Sequence, residues 1–182
     1  MQTTLDGATS NLHVDSWKQA AQRALHPSAR AVGADVLSAI AAGLAAVTVP
    51  SGLGEGESQS ERRYQRVLAT DAYEAWVIHW PSGGALDLHD HGGSAGAFSV
   101  VSGQLDEATV DAGDTVVRTV GPGETVSFDS SHVHAVVNRG VSVATSVHVY
   151  SPPLTSMIYY EADDDGQLAA VATDPGNWAD AF

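Results

Sequence analysis

The chain contains no cysteine. Disulfides, zinc ribbons, iron–sulfur clusters and thiol nucleophiles are therefore excluded. Any metal must be held by histidine, carboxylate, carbonyl or water. Basic residues are scarce as well: 8 Lys and Arg stand against 22 Asp and Glu, a formal net charge of −14. That balance argues against non-specific binding to nucleic acid or to an anionic membrane. It also makes each Arg in an apolar or glycine-rich setting worth attention. Long apolar runs are missing too. The longest candidate, Ala31 to Pro50, carries Asp35 and is interrupted by Gly33 and Gly43, so no stretch suits a bilayer. Met1 to Asp6 has no basic region followed by an apolar core. No secretory signal is expected, and the cytoplasm is the default location.

The remaining composition suits one compact domain of 182 residues with 43% hydrophobic content. Residues 1–59 read as a helical preface packing on the rest of the chain. A short helix is expected from Asp15 to Leu25, capped by Asp15 or Ser16 and ended by His26-Pro27. A second is expected from Ala29 to Ala46, with Val32, Val36, Leu37, Ile40 and Leu44 at helical spacing. Pro50 to Ser58 is rich in Gly and Ser and reads as a flexible connection. From Tyr64 the texture changes to short β-branched and aromatic runs between turns. Strands are expected at 64–69, 73–80, 85–89, 97–101, 104–110, 115–120, 124–128, 133–138, 141–150 and 157–161. Many short strands after a helical preface predict a mainly β sandwich or small barrel over 60–161. Residues 162–182, with Asp163-Asp164-Asp165, have weak patterning and are expected to form an acidic, solvated tail.

Four of the eight histidines fall in two His-x-His pairs, His89/His91 and His132/His134. Residues i and i+2 of a strand share a face. Two such pairs on predicted strands point to a metal site more than to scattered structural imidazoles. Parity alone does not choose between His132 and His134. Neutral imidazoles suit Fe(II), Zn(II), Cu(II) or Ni(II), and a zinc hydrolase is compatible with the chemistry. The wider spacing resembles the paired motifs of the cupin superfamily: Gly83, His89-Asp90-His91, Gly96 and Gly103, then His134 and Asn138. The resemblance implies a double-stranded β-helix barrel with a metal inside it. The usual cupin glutamate falls at Gly96, so the resemblance implies a three-histidine site of His89, His91 and His134. His132 is then a neighbour at the mouth or simply exposed.

The segment Ser146-Val147-His148-Val149-Tyr150-Ser151-Pro152-Pro153 places Ser146, His148 and Tyr150 on one strand face. Together with His89-Asp90-His91-Gly92-Gly93-Ser94 it resembles the cysteine dioxygenase family of thiol dioxygenases. The resemblance implies mononuclear Fe(II) on three histidines. It also implies a Ser146–His148–Tyr150 relay whose phenol lies near substrate and O2, the co-substrate. Tyr64-Gln65-Arg66 matches the family's substrate-binding segment. Arg66 would pair with a substrate carboxylate and Tyr64 would add a hydroxyl. Animal members crosslink a cysteine to the active-site tyrosine. That place falls at Gly96, so Tyr150 is expected to be unmodified. Asp90 is expected to be structural.

The function these features imply is oxidation of a small carboxylated thiol, foremost L-cysteine, to its sulfinic acid. Rival readings are a dioxygenase of 3-mercaptopropionate, mercaptosuccinate, cysteamine or a thioimidazole such as ergothioneine, and a non-catalytic cupin that binds a metal or small molecule. A cupin isomerase or hydrolase using another metal is a third rival. A small-molecule thiol is the expected partner, with no nucleic acid or membrane. The chain is expected to be a monomer or small homo-oligomer.

Overall fold

A computed structural model describes residues 31–48, 61–111, 114–163 and 165–176. The expected helix at Asp15–Leu25 and the connection at Pro50–Ser58 lie outside the described residues. One helix and eleven strands are described. Helix α1 is Ala34–Val47. The strands are β1 Arg63–Ala69, β2 Glu74–Trp80, β3 Ala85–His89, β4 Ala95–Ser102, β5 Leu105–Asp111 and β6 Asp114–Val120. They continue as β7 Thr125–Phe128, β8 His134–Val137, β9 Ala144–Ser151, β10 Met157–Ala162 and β11 Leu168–Asp174.

Two antiparallel sheets make up the barrel, in the orders β1-β2-β9-β4-β7 and β11-β10-β3-β8-β5-β6. This is the double-stranded β-helix architecture expected from the sequence. Its interior holds Trp76, Ile78, Trp80, Phe98, Val100, Leu105, Val126, Phe128, Val136 and Tyr150 among others. Strand β9 is buried along its whole length. Ala144 and Tyr150 face the interior cluster, whereas Val147 and Val149 face a second cluster on the outside of the sheet. That outer face is dry because α1 lies over it. Leu37, Ala41 and Ala45, spaced by one helical turn, are its buried residues. They meet Ala75, Val77, Ala97, Val147 and Val149. Burying Leu37 contributes about 2 kcal/mol.

The helix begins at Ala34, with Gly33 extended at its N-cap. Val36, expected on the apolar face, is exposed. Small Ala41 and Ala45 take the contact instead, which lets the helix approach the sheet closely. The strand expected from Val141 begins at Ala144. The preceding loop is clasped by the buried Asn138 side chain. Its amide donates to the carbonyls of Trp80, Pro81 and Ser142 at 2.9, 3.1 and 2.8 Å.

The segment expected as a tail carries β11, which pairs with β10 from Met157↔Asp174 to Ala162↔Leu168. It is solvated as expected, since all its positions but Asp174 are exposed, yet it is sheet rather than coil. No described helix is long and apolar enough to cross a membrane.

Candidate metal centre

The two histidine pairs are not wholly on strands. His89 ends β3 and His91 lies beyond it; His134 opens β8 and His132 lies before it. Register brings them together. His89 stands directly opposite His134 across β3 and β8, and Tyr159 of β10 stands opposite His89 on the other side. Directly opposed residues share a face, so this row points into the barrel. His91 reaches the same place from the turn after β3. Asp90 fixes that turn: its carboxylate accepts the N–H of Gly92 at 3.0 Å, the N–H of Ile158 at 3.1 Å and the hydroxyl of Tyr160 at 2.9 Å. The turn needs glycine at 92, where φ is +58° and a Cβ would lie 2.6 Å from the Ser156 carbonyl oxygen.

His89, His91 and His134 are each about 1% exposed, and their ligand nitrogens lie within 4.8 Å of one another. His89 donates from Nδ1 to the Asp87 carbonyl at 2.7 Å, and His134 donates from Nδ1 to Glu107 at 2.6 Å. Each bond leaves Nε2 as the nitrogen with a lone pair for a metal. Both ring nitrogens of His91 are buried without a partner. A buried imidazole with nothing to bond is costly, and a metal ion would take up the nitrogen that carries the lone pair. The donor set therefore fits a three-histidine metal. Burial, reinforced by the neighbouring imidazoles, keeps the trio neutral. It lowers His89 to about 3, His91 well below its ordinary value and His134 in the same direction.

Neutral burial has a consequence for the metal-free protein. Unfolded imidazoles protonate near pH 6.5, whereas His89 and His148 stay neutral in the fold until about pH 3. Between those values the unfolded chain binds more protons, so stability falls as pH falls. Denaturation midpoints of metal-free protein should drop from pH 7 to pH 4, and less steeply in His148→Gln. Parallel profiles for the two proteins would contradict the neutral burial of His148.

Glu107, on β5 and fully buried, holds His134 in place. It shares its strand face with Leu105. Besides His134 it accepts from His132 Nε2 at 3.2 Å and from Arg118 Nε. Burial alone would raise its pKa; the bonds from His132, His134 and Arg118 outweigh that and hold it far below the ordinary carboxylate range. Glu107, His132 and His134 also converge closely enough to suggest a metal group. Arg118 already neutralises that carboxylate, so the cluster works as an orienting shell. His132 is half-buried and stacks on Phe128 at 5.0 Å. Glu107→Gln should weaken Fe(II) binding by about 10- to 100-fold in chelator competition. Unchanged affinity would remove Glu107 from this role.

The expected relay is formed on β9. Ser146 Oγ lies 2.9 Å from His148 Nε2, and His148 Nδ1 lies 3.1 Å from the Tyr150 hydroxyl. Trp80, which no sequence motif singles out, sets its direction. Its indole N–H donates to Ser146 Oγ at 2.9 Å. Ser146 is fully buried, so its own hydrogen needs an acceptor. The lone pair on His148 Nε2 supplies one. His148 then carries its hydrogen on Nδ1 and donates to Tyr150. The hydroxyl hydrogen of Tyr150 is left for a ligand. Burial, and next the charge of Glu74, raise the Tyr150 pKa above its ordinary value, so the phenol stays protonated.

Gly96, on β4, stands opposite Tyr150 of β9 on one side and Phe128 of β7 on the other. A Cβ there would sit 2.5 Å from the Phe128 ring. That ring stacks on His91 at 4.7 Å, in the space a ligand from residue 96 would need.

Beside the histidines lies a pocket of about 90 Å³, sized for a small molecule. Arg62, Tyr64, Trp76, Tyr150, Met157 and Tyr159 line it, with Asp174 of β11. Tyr150 and Tyr159 connect it to the three histidines, at ring separations of 5.1 Å from His91 and 6.1 Å from His89. Tyr64, expected at the substrate, lines this pocket. Arg66 is bonded to the buried carboxylate of Glu74 at 3.4 Å and lies 5.6 Å above the Trp76 ring; it does not line the pocket. Arg62 does.

The family model for cysteine dioxygenase type I matches residues 58–163. No curated protein sequence matches the chain. Among solved structures, a Klebsiella pneumoniae protein with a double-stranded β-helix domain is 20% identical; the match covers 64% of this chain and 89% of that one, with a TM-score of 0.47. A Thermus thermophilus protein is 18% identical over 56% of this chain and 91% of its own, with a TM-score of 0.48. A cupin superfamily protein of Desulfitobacterium hafniense is 8% identical over 53% and 83%, with a TM-score of 0.46.

Proposed function

Because the chain belongs to the cysteine dioxygenase type I family, we propose that it is an Fe(II)-dependent thiol dioxygenase of the cytoplasm. Its substrate would be a small carboxylated thiol, foremost L-cysteine. The observation that carries this reading is the meeting of two arrangements. Three neutral imidazoles converge on one point, and a buried tyrosine with a spare hydroxyl hydrogen stands beside them.

The reaction is balanced without any organic cofactor. A thiol and O2 give a sulfinic acid, with both oxygen atoms bonded to sulfur. Sulfur loses four electrons and O2 gains them. When bound by His89, His91 and His134, iron would supply the redox-active Lewis acid at which thiolate and O2 meet. The residues around it have separate tasks. Tyr150 donates its hydroxyl hydrogen to the reacting oxygen or to the substrate. His148 and Ser146 fix the direction of that donation, and Trp80 fixes theirs. Met157, Leu154 and Ile78 give the pocket its apolar walls. Glu107 keeps His134 in the tautomer that presents Nε2.

An oxygen electrode and mass spectrometry test the reading. Fe(II)-loaded protein should consume O2 with L-cysteine and yield cysteine sulfinate, with both new oxygens derived from heavy-oxygen gas. Consumption only with 3-mercaptopropionate or mercaptosuccinate would move the substrate within the class. No consumption with any thiol of the panel, cysteamine and ergothioneine included, would favour a binding cupin over an enzyme.

A further inference from the structure

Among the described residues, four buried side-chain polar atoms lack any hydrogen-bond partner. Two are the ring nitrogens of His91, one of which a bound metal would take. The other two are a terminal guanidinium nitrogen of Arg62 and the indole nitrogen of Trp76. Both belong to residues that line the small pocket beside the histidines. Both are donors. Arg62 is half-buried, but this nitrogen and the Trp76 N–H are fully covered; covered donors left unpaired are costly, and a ligand rich in acceptor oxygens satisfies both.

Arg62 immediately precedes β1, and the pairing of Arg63 with His79 sets it opposite Trp80. Its guanidinium lies 5.3 Å from the Trp80 ring and 5.8 Å from the Tyr64 ring. Tyr64 in turn lies 5.9 Å from Trp76, edge to face. These rings fix the cation in position without giving it a counter-ion. Tyr150 and Tyr159, whose rings stand beside His91 and His89, line the same pocket as Arg62. Arg66, further along the same strand face, has Glu74 as a counter-ion. Glu74 is held there by a second bond, from the N–H of Leu154 at 3.0 Å.

We propose that Arg62, not Arg66, anchors the substrate carboxylate, and that the Trp76 indole N–H donates to the same ligand. Specificity for an acidic thiol then resides in a residue just outside the first strand. Arg66 serves as the partner that locks Glu74 beneath the loop at Leu154. This inference rests on the thiol dioxygenase reading for the identity of the ligand.

The test measures binding and turnover separately. Metal-free protein is titrated anaerobically with 3-mercaptopropionate and with ethanethiol by calorimetry. Fe(II)-loaded protein is assayed with L-cysteine and with cysteamine, which lacks the carboxylate. Arg62→Gln should weaken 3-mercaptopropionate binding and raise KM for cysteine by about 10- to 100-fold, the loss expected for a charge-assisted contact. Cysteamine KM should change by less than about threefold, as should kcat for cysteine. Arg62→Lys should recover part of the loss, since it keeps the charge but not the fork. Trp76→Phe, which keeps a ring and removes the N–H, should shift binding in the same direction by a smaller factor. Unliganded Arg62→Gln should melt at or above the wild-type temperature, because it removes an unpaired, half-buried charge. An unchanged cysteine-to-cysteamine ratio in Arg62→Gln would overturn the proposal. So would a lower melting temperature, or discrimination lost in Arg66→Gln instead. If no thiol is oxidised, yet carboxylate binding depends on Arg62, the anchor stands and the enzymatic reading fails.

Discussion

His134→Ala protein, reconstituted with Fe(II) and desalted, should retain no more iron than a blank. His134 supplies one of three nitrogens, and the other two come from a single turn at the end of β3. Losing a residue that merely supports a ligand weakens a metal site by about 10- to 100-fold; losing a ligand outright costs more. Oxygen uptake should disappear with the iron. His132→Ala provides the contrast. It removes a hydrogen bond to Glu107 and a ring stacked on Phe128, and it leaves all three ligands in place. It should load with iron and turn over. The reverse outcome, iron lost in His132→Ala and kept in His134→Ala, would overturn the choice of ligand.

Tyr150→Phe separates chemistry from metal binding. The hydroxyl's bond to His148 Nδ1, at 3.1 Å, does not touch the ligands. Removing it strands one N–H in the interior, a cost of about 1–3 kcal/mol. The protein should fold and hold iron as the wild type does. Turnover should fall by about 10²- to 10⁴-fold, the range for a lost proton donor, while KM for the thiol moves little. Full activity in this variant would remove the phenol from the mechanism.

Much of this site is legible in the string of residues alone. The strands from 63 to 162 announce themselves by β-branched runs between glycine turns, and the alternation in β9 forces Ser146, His148 and Tyr150 onto one face. Glu107 carries a faint signal, since it shares parity with Leu105 and so has to be inside. The rest lacks a local signature. Strand β11 is exposed at every position but Asp174, so its sequence has no apolar side to alternate with. Trp80 reads as one more core aromatic until its N–H is seen to meet Ser146. Arg62, Arg63 and Arg66 are indistinguishable in a string of letters. What separates Arg62 from Arg66 is which of them Glu74 claims, and that depends on the fold bringing residue 74 opposite the end of β1.

The crowding at Gly96 constrains how this barrel can change over generations. A side chain at 96 would stand next to Tyr150 across the sheet, the place from which a covalent link to that phenol could be made. Yet its first carbon would overlap the ring of Phe128 and lie 2.9 Å from the Val149 carbonyl oxygen. Phe128 also stacks on the ligand His91, so it does not give way freely. The two positions are therefore coupled in space: residue 96 cannot grow unless the Phe128 ring moves, and the Val149 carbonyl has to shift as well. A side chain placed at 96 with Phe128 unchanged would press that ring toward His91 and disturb the imidazole it stacks on.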